Sequence, residues 1–150
     1  MCDALAALHR AGLLHGDIAP GNILRRSPHD FVLTDFGMSL SISEVNRSRG
    51  GTLSFHAPEQ ISSSFGPISQ RTDIYGVGAL LYFMATGRPP FIGCDAPDVF
   101  SQIVSSRPPE LIPEACSLPT TLNRLIMNCL TKEPSQRILS METLKQAFLD

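Results

Sequence analysis

Apolar residues recur at helical spacing through most of this 150-residue chain. Residues 2 to 11 are rich in Ala and Leu and run up to Gly12, a helix stop. A longer helix is predicted to start near Asp73, capped by Thr72 or by Asp73 itself. It runs to Thr86, where Gly87 and two prolines end it. Pro97 suits a first helical turn and opens a helix carrying Val99, Phe100, Ile103 and Val104. Leu122, Leu125, Ile126, Cys129 and Leu130 fall at i, i+3, i+4, i+7 and i+8, a single apolar stripe. Ser140 precedes a last helix with Met141, Leu144 and Phe148 inward. One segment reads differently. Phe31-Val32-Leu33-Thr34 is a short β-prone run, and Asn22-Ile23-Leu24 is placed to pair with it across Pro28-His29-Asp30. Residues 38 to 56 are serine-rich, hold Gly50-Gly51, and read as a mobile loop. The predicted fold class is mainly α, with one short β-hairpin.

Composition narrows the function classes. Charged residues make up 17% and the net charge is −2, so no basic footprint points to nucleic acid or anionic lipid. Cys2, Cys94, Cys116 and Cys129 are scattered, without Cys-x-x-Cys spacing and without a preceding signal peptide. Free thiols in a reducing compartment, the cytoplasm, are expected. The longest apolar run, Tyr75 to Ala85, is too short to span a bilayer, although a membrane anchor on a longer parent chain stays open.

The chemistry-bearing residues lie before and after the hairpin. Asp17, Asn22 and Asp35 occur in His15-Gly16-Asp17-Ile18-Ala19-Pro20-Gly21-Asn22 and in Asp35-Phe36-Gly37. Taken singly, an Asp or an Asn in such a place is a turn residue bonding its own backbone. Their order and spacing suit a magnesium-and-phosphate site. A phosphoryl-transfer enzyme needs one carboxylate to accept the proton of the attacking hydroxyl, and further oxygen ligands to hold Mg²⁺ against the phosphates.

Asp-x-x-x-x-Asn followed by Asp-Phe-Gly resembles the catalytic and metal loops of protein kinases. Gly51-Thr52-Leu53-Ser54-Phe55 and Ala57-Pro58-Glu59 resemble the end of that family's activation segment. Asp73-Ile74-Tyr75-Gly76-Val77-Gly78 and Thr86-Gly87-Arg88-Pro89-Pro90-Phe91 resemble the start and exit of its long central helix. Cys129-Leu130 to Pro134-Ser135-Gln136-Arg137 resembles its last motif. The resemblance runs from about residue 5 to residue 149, in family order, and Ala57-Pro58-Glu59-Gln60-Ile61 resembles the eukaryotic-like serine/threonine kinases of bacteria.

The resemblance implies roles for these residues. Asp17 is the catalytic base, and Thr52 buttresses it through its hydroxyl. Asn22, Leu24 and Asp35 receive ATP, and Asn22 with Asp35 holds Mg²⁺. His15 packs beneath the Phe of Asp-Phe-Gly. Asp73 accepts backbone N–H groups of the catalytic loop, and Glu59 pairs with Arg137. The partners implied are a protein substrate and a small lobe. No glycine-rich phosphate loop is present within these residues, and neither Lys132 nor Lys145 lies in a Val-Ala-x-Lys strand. Gly76-x-Gly78 sits in a helical pattern and reads as close helix packing. The expectation is a large, C-terminal lobe over residues 1 to 150, separated from its N-terminal lobe.

Two departures bear on function. Gly16 stands where the family usually has arginine, the residue that receives a phosphorylated activation loop. Ala19 stands where serine/threonine kinases usually have a lysine touching the transferred phosphoryl group, a type of contact worth roughly 10²–10³ in rate. A second reading is therefore a pseudokinase or truncated lobe that binds proteins, through the helix around Val99 to Val104 or the face toward the small lobe. A third follows from His15-Gly16-Asp17, which also resembles the loop of aminoglycoside and choline phosphotransferases. Asp-Phe-Gly, Ala-Pro-Glu and Arg137 weigh against it.

Overall fold

The computed structural model describes residues 1–28, 30–35, 53–111 and 118–149. Its helices are α1 (Cys2–Arg10), α2 (Pro58–Ile61), α3 (Gln70–Thr86), α4 (Ala96–Ser105), α5 (Thr120–Cys129) and α6 (Met141–Leu149). Strands β1 (Ile23–Ser27) and β2 (Asp30–Leu33) form one antiparallel pair. The architecture is mainly α with a small hairpin, as the apolar spacing predicts.

Helix α3 is the axis of the molecule. Ile74, Tyr75, Val77 and Ala79 are wholly buried, because neighbours cover it on more than one side. One side joins Leu5, Ile18, Leu33, Met141 and Leu144; another joins Phe55, Ala57, Ile126 and Leu130. Gly76 and Gly78 permit this closeness. A Cβ on Gly78 would lie 2.5 Å from the Cys129 Cβ, and one on Gly76 would lie 2.9 Å from the Ile18 Cβ. The pair is a packing device, as its helical setting implies. A smaller cluster of Leu53, Phe91, Val99 and Ile103 seats α4.

Three local expectations are corrected. Helix α3 starts at Gln70, not near Asp73. Ser69 is its N-cap, accepting from the Arg71 N–H, and the Thr72 hydroxyl accepts from the Ser69 N–H to close the box. Asp73 cannot cap the helix because its carboxylate is turned to the backbone of His15 and Gly16. Phe148 is 40% exposed, unlike the fully buried Met141 and Leu144, and lies in the last turn of α6, where packing along the helix has run out. Finally, the strands extend closer to the turn than predicted: β1 reaches Ser27, which pairs with Asp30 across a register irregularity.

Candidate active site

The segment between α1 and β1 has little secondary structure of its own. Side chains from other elements hold it. The carboxylate of Asp73, 1% exposed, accepts the His15 N–H at 3.0 Å and the Gly16 N–H at 2.8 Å. Its Oδ2 also meets His9 Nε2 at 2.7 Å. His15, completely buried, reaches the Thr34 carbonyl with Nε2 at 3.0 Å. Gly16 takes a φ of 76°, a left-handed conformation that a residue without Cβ adopts freely. The next residue is Asp17.

Asn22 closes the loop. It ends a single 3₁₀ turn, Pro20–Asn22, and its Nδ2 donates to both the backbone carbonyl and the Oδ2 of Asp17, at 2.8 Å each. The orientation of Asn22 is therefore set by its amide nitrogen, and Oδ1 remains for another partner. The Asn22 carbonyl accepts the Thr34 N–H at 2.9 Å, continuing the ladder one step beyond the Ile23–Leu33 pair. That bond brings the residue after Thr34, Asp35, to the same end of the hairpin as Asn22. Asp35 is exposed, with a φ of 59°, the one non-glycine residue with positive φ among those described. Such a conformation persists only where the surroundings impose it, and it concentrates at functional sites. Leu24 lies on β1 opposite Val32 and is 57% exposed. Thr52, Phe36 and Gly37 lie outside the described residues.

The site is anchored from below by a buried ion pair. Arg137 donates from Nη1 to Glu59 Oε1 at 2.6 Å and from Nη2 to Glu59 Oε2 at 2.7 Å. Its remaining N–H groups reach the carbonyls of Thr131, Lys132 and Arg71, at 2.7, 2.8 and 2.9 Å. All five guanidinium donors are thus used. Glu59 also accepts from the Thr72 hydroxyl at 2.9 Å, which ties the pair to the first turn of α3.

Comparison with known proteins gives the family independently of this geometry. A family model described as protein kinase domain covers residues 1–149. The chain belongs to the protein kinase domain family. It is 36% identical to the serine/threonine-protein kinase PkaA of Streptomyces coelicolor over 91% of its length. It is 37% identical over its whole length to the probable serine/threonine-protein kinase PkwA of Thermomonospora curvata. It is 34% identical over 89% of its length to the serine/threonine-protein kinase PknL of Mycobacterium tuberculosis. The chain spans 25%, 20% and 34% of those relatives.

The structure brings Asp17 and Asn22 into direct contact and sets Asp35 at the neighbouring strand end. Asp73, Glu59 and Arg137 take the positions the resemblance implies. His9 and Gln60 were not singled out by sequence reasoning. His9 sits in an Ala/Leu helix and its partner is 64 residues away. Gln60 is marked only by its place after Ala-Pro-Glu. The donor set near the hairpin end is oxygen-rich: Asn22 Oδ1 and the Asp35 carboxylate. It suits Mg²⁺, which takes one or two protein oxygens and completes its shell with phosphates and water. The described residues hold no helix long and apolar enough to cross a membrane.

Proposed function

We propose that this chain is the large lobe of a cytoplasmic serine/threonine protein kinase that transfers the γ-phosphoryl group of ATP to a protein hydroxyl. The observation that carries this reading is the pair of hydrogen bonds from Asn22 Nδ2 to the Asp17 carbonyl and carboxylate, which orients that carboxylate and leaves the Asn22 amide oxygen for another partner. Asp17 accepts the substrate hydroxyl's proton as its oxygen attacks the γ-phosphorus and ADP leaves. Asn22 and Asp35 hold the metal. Mg²⁺, when bound, neutralises charge developing on the phosphate oxygens. Leu24, exposed on β1, forms the lower wall for adenine, and the opposite wall belongs to a small lobe.

Ala19 is 3% exposed and packs with Phe55, Ala57 and Tyr75, so no cation reaches the phosphoryl group from that position. This favours slow transfer, and it supports the second reading, a lobe used for protein binding.

Two measurements test the proposal. Mn²⁺ added with ATP should broaden NMR signals of Asn22 and Asp35 in this chain, weakly and reversibly. Asp35→Asn should abolish the effect. In a longer chain that includes a glycine-rich loop and a strand lysine, Mg²⁺ and labelled ATP should phosphorylate serine or threonine, and Asp17→Asn should remove that transfer. The 150 residues alone should show none above the Asp17→Asn control. Transfer retained by Asp17→Asn in the longer chain would overturn the assignment.

A further inference from the structure

Gly16 is the weakest constraint in the loop by its own chemistry. Without a Cβ it has many backbone conformations, and its peptide plane sets the direction in which Asp17 leaves the chain. The structure fixes it from both sides. Asp73 Oδ1 takes its N–H, and Gln60 Nε2 donates to its carbonyl at 2.7 Å. Gln60 is 3% exposed and sits in α2, directly after Glu59. Its other amide atom is also committed. Gln60 Oε1 accepts the Ala57 N–H at 2.8 Å, capping α2.

We infer that Gln60 is a positioning residue for Asp17: its carboxamide couples the helix that follows the activation segment to the Gly16–Asp17 peptide. This deepens the kinase reading and rests on it. A primary amide is the group the geometry requires, since it presents a donor and an acceptor side by side. A carboxylate would keep the Ala57 cap but place negative charge against the Gly16 carbonyl. Asparagine falls one methylene short, and an apolar side chain loses both bonds. The coupling also answers a question raised by Gly16 itself. The usual arginine at this position would link the loop to a phosphate by charge. Here a neutral, partly buried hydrogen bond links it to the end of the same segment. Phosphorylation is not needed to make that bond.

The test uses Gln60→Glu and Gln60→Met in this chain, read by backbone amide NMR. In Gln60→Glu at neutral pH, the Gly16 and Asp17 amide signals should move while Ala57 stays near its native position. As pH falls and the introduced carboxyl gains a proton, it can again donate to the Gly16 carbonyl. The difference from the native chain at the same pH should then collapse. A purely space-filling role predicts no such return. In Gln60→Met, all three residues should shift, and shifts confined to Ala57 would overturn the inference. So would native Gly16 and Asp17 signals in Gln60→Glu at neutral pH. In the longer, active chain, Gln60→Glu should lower kcat roughly tenfold to a hundredfold, the equivalent of one lost hydrogen bond, with the KM for ATP little changed. Failure of transfer in the native longer chain would sink the kinase reading while leaving the NMR result to decide the role of Gln60.

Discussion

Glu59→Gln is the most demanding test of how this lobe is held together. Glu59 and Arg137 are 2% and 4% exposed, and each charge is desolvated against the other. The substitution keeps shape and one acceptor but leaves the guanidinium uncompensated. Stranding a buried charge costs about 3–5 kcal/mol. Domain stabilities lie at about 5–15 kcal/mol, so this is a large share of the total. At about 2–4 °C per kcal/mol for a chain of this size, Tm should fall by roughly 6–20 °C. Arg137→Met should cost a similar amount. Removing both charges in Glu59→Leu with Arg137→Met will not recover full stability, unlike some buried pairs replaced by apolar residues. The carbonyls of Arg71, Thr131 and Lys132 and the Thr72 hydroxyl would each lose a partner, at about 1–3 kcal/mol for each buried group left unsatisfied. Urea denaturation of the two single variants and the double variant gives the comparison. A Glu59→Gln chain within about 1 kcal/mol of the native one would refute the reasoning, because surface pairs behave that way and buried ones do not.

Three further outcomes follow from the packing and the titrating groups. Gly78→Ala should destabilise by about 1–3 kcal/mol through overpacking, despite the better helix propensity of alanine, because the new Cβ would sit 2.5 Å from that of Cys129; an unchanged thermal midpoint would contradict the contact. Burial and the nearby Arg137 charge lower the Lys132 amine to about 8, so between pH 8 and 10.5 the unfolded chain holds more protons and Lys132 adds stability as pH rises. Cys129, pushed up to about 12 by burial, acts in the opposite direction above pH 9, so the slope should be read as the native chain minus Lys132→Met, and a zero difference would dismiss the effect. Leu24, 57% exposed, should belong to an apolar face that promotes self-association of the isolated 150 residues, and a clean 16.3 kDa monomer by light scattering at high concentration would count against it.

Much of the site is legible because local chemistry demands it. Asp17 and Asn22 are five residues apart, and one 3₁₀ turn is enough to fold the amide back onto the carboxylate. The stripe from Leu122 to Leu130 and the stop at Gly87 follow from helical period and helix termination, properties written into a few neighbouring residues. Contacts across distance are another matter. Asp73 reads as a cap for α3 in the sequence, and only the folded chain shows its carboxylate engaged by His9, His15 and Gly16. Phe148 is exposed although its spacing matches Met141 and Leu144, because periodicity says which face a residue shares, not how far packing extends along that face. Gln60 was silent for the same kind of reason: its two partners, Ala57 and Gly16, lie 3 and 44 residues away. Local turns, apolar faces and the order of the polar groups follow from neighbouring residues alone. Which buried polar group satisfies which emerges only in the fold, since in a desolvated interior each donor must find its acceptor wherever the chain brings one.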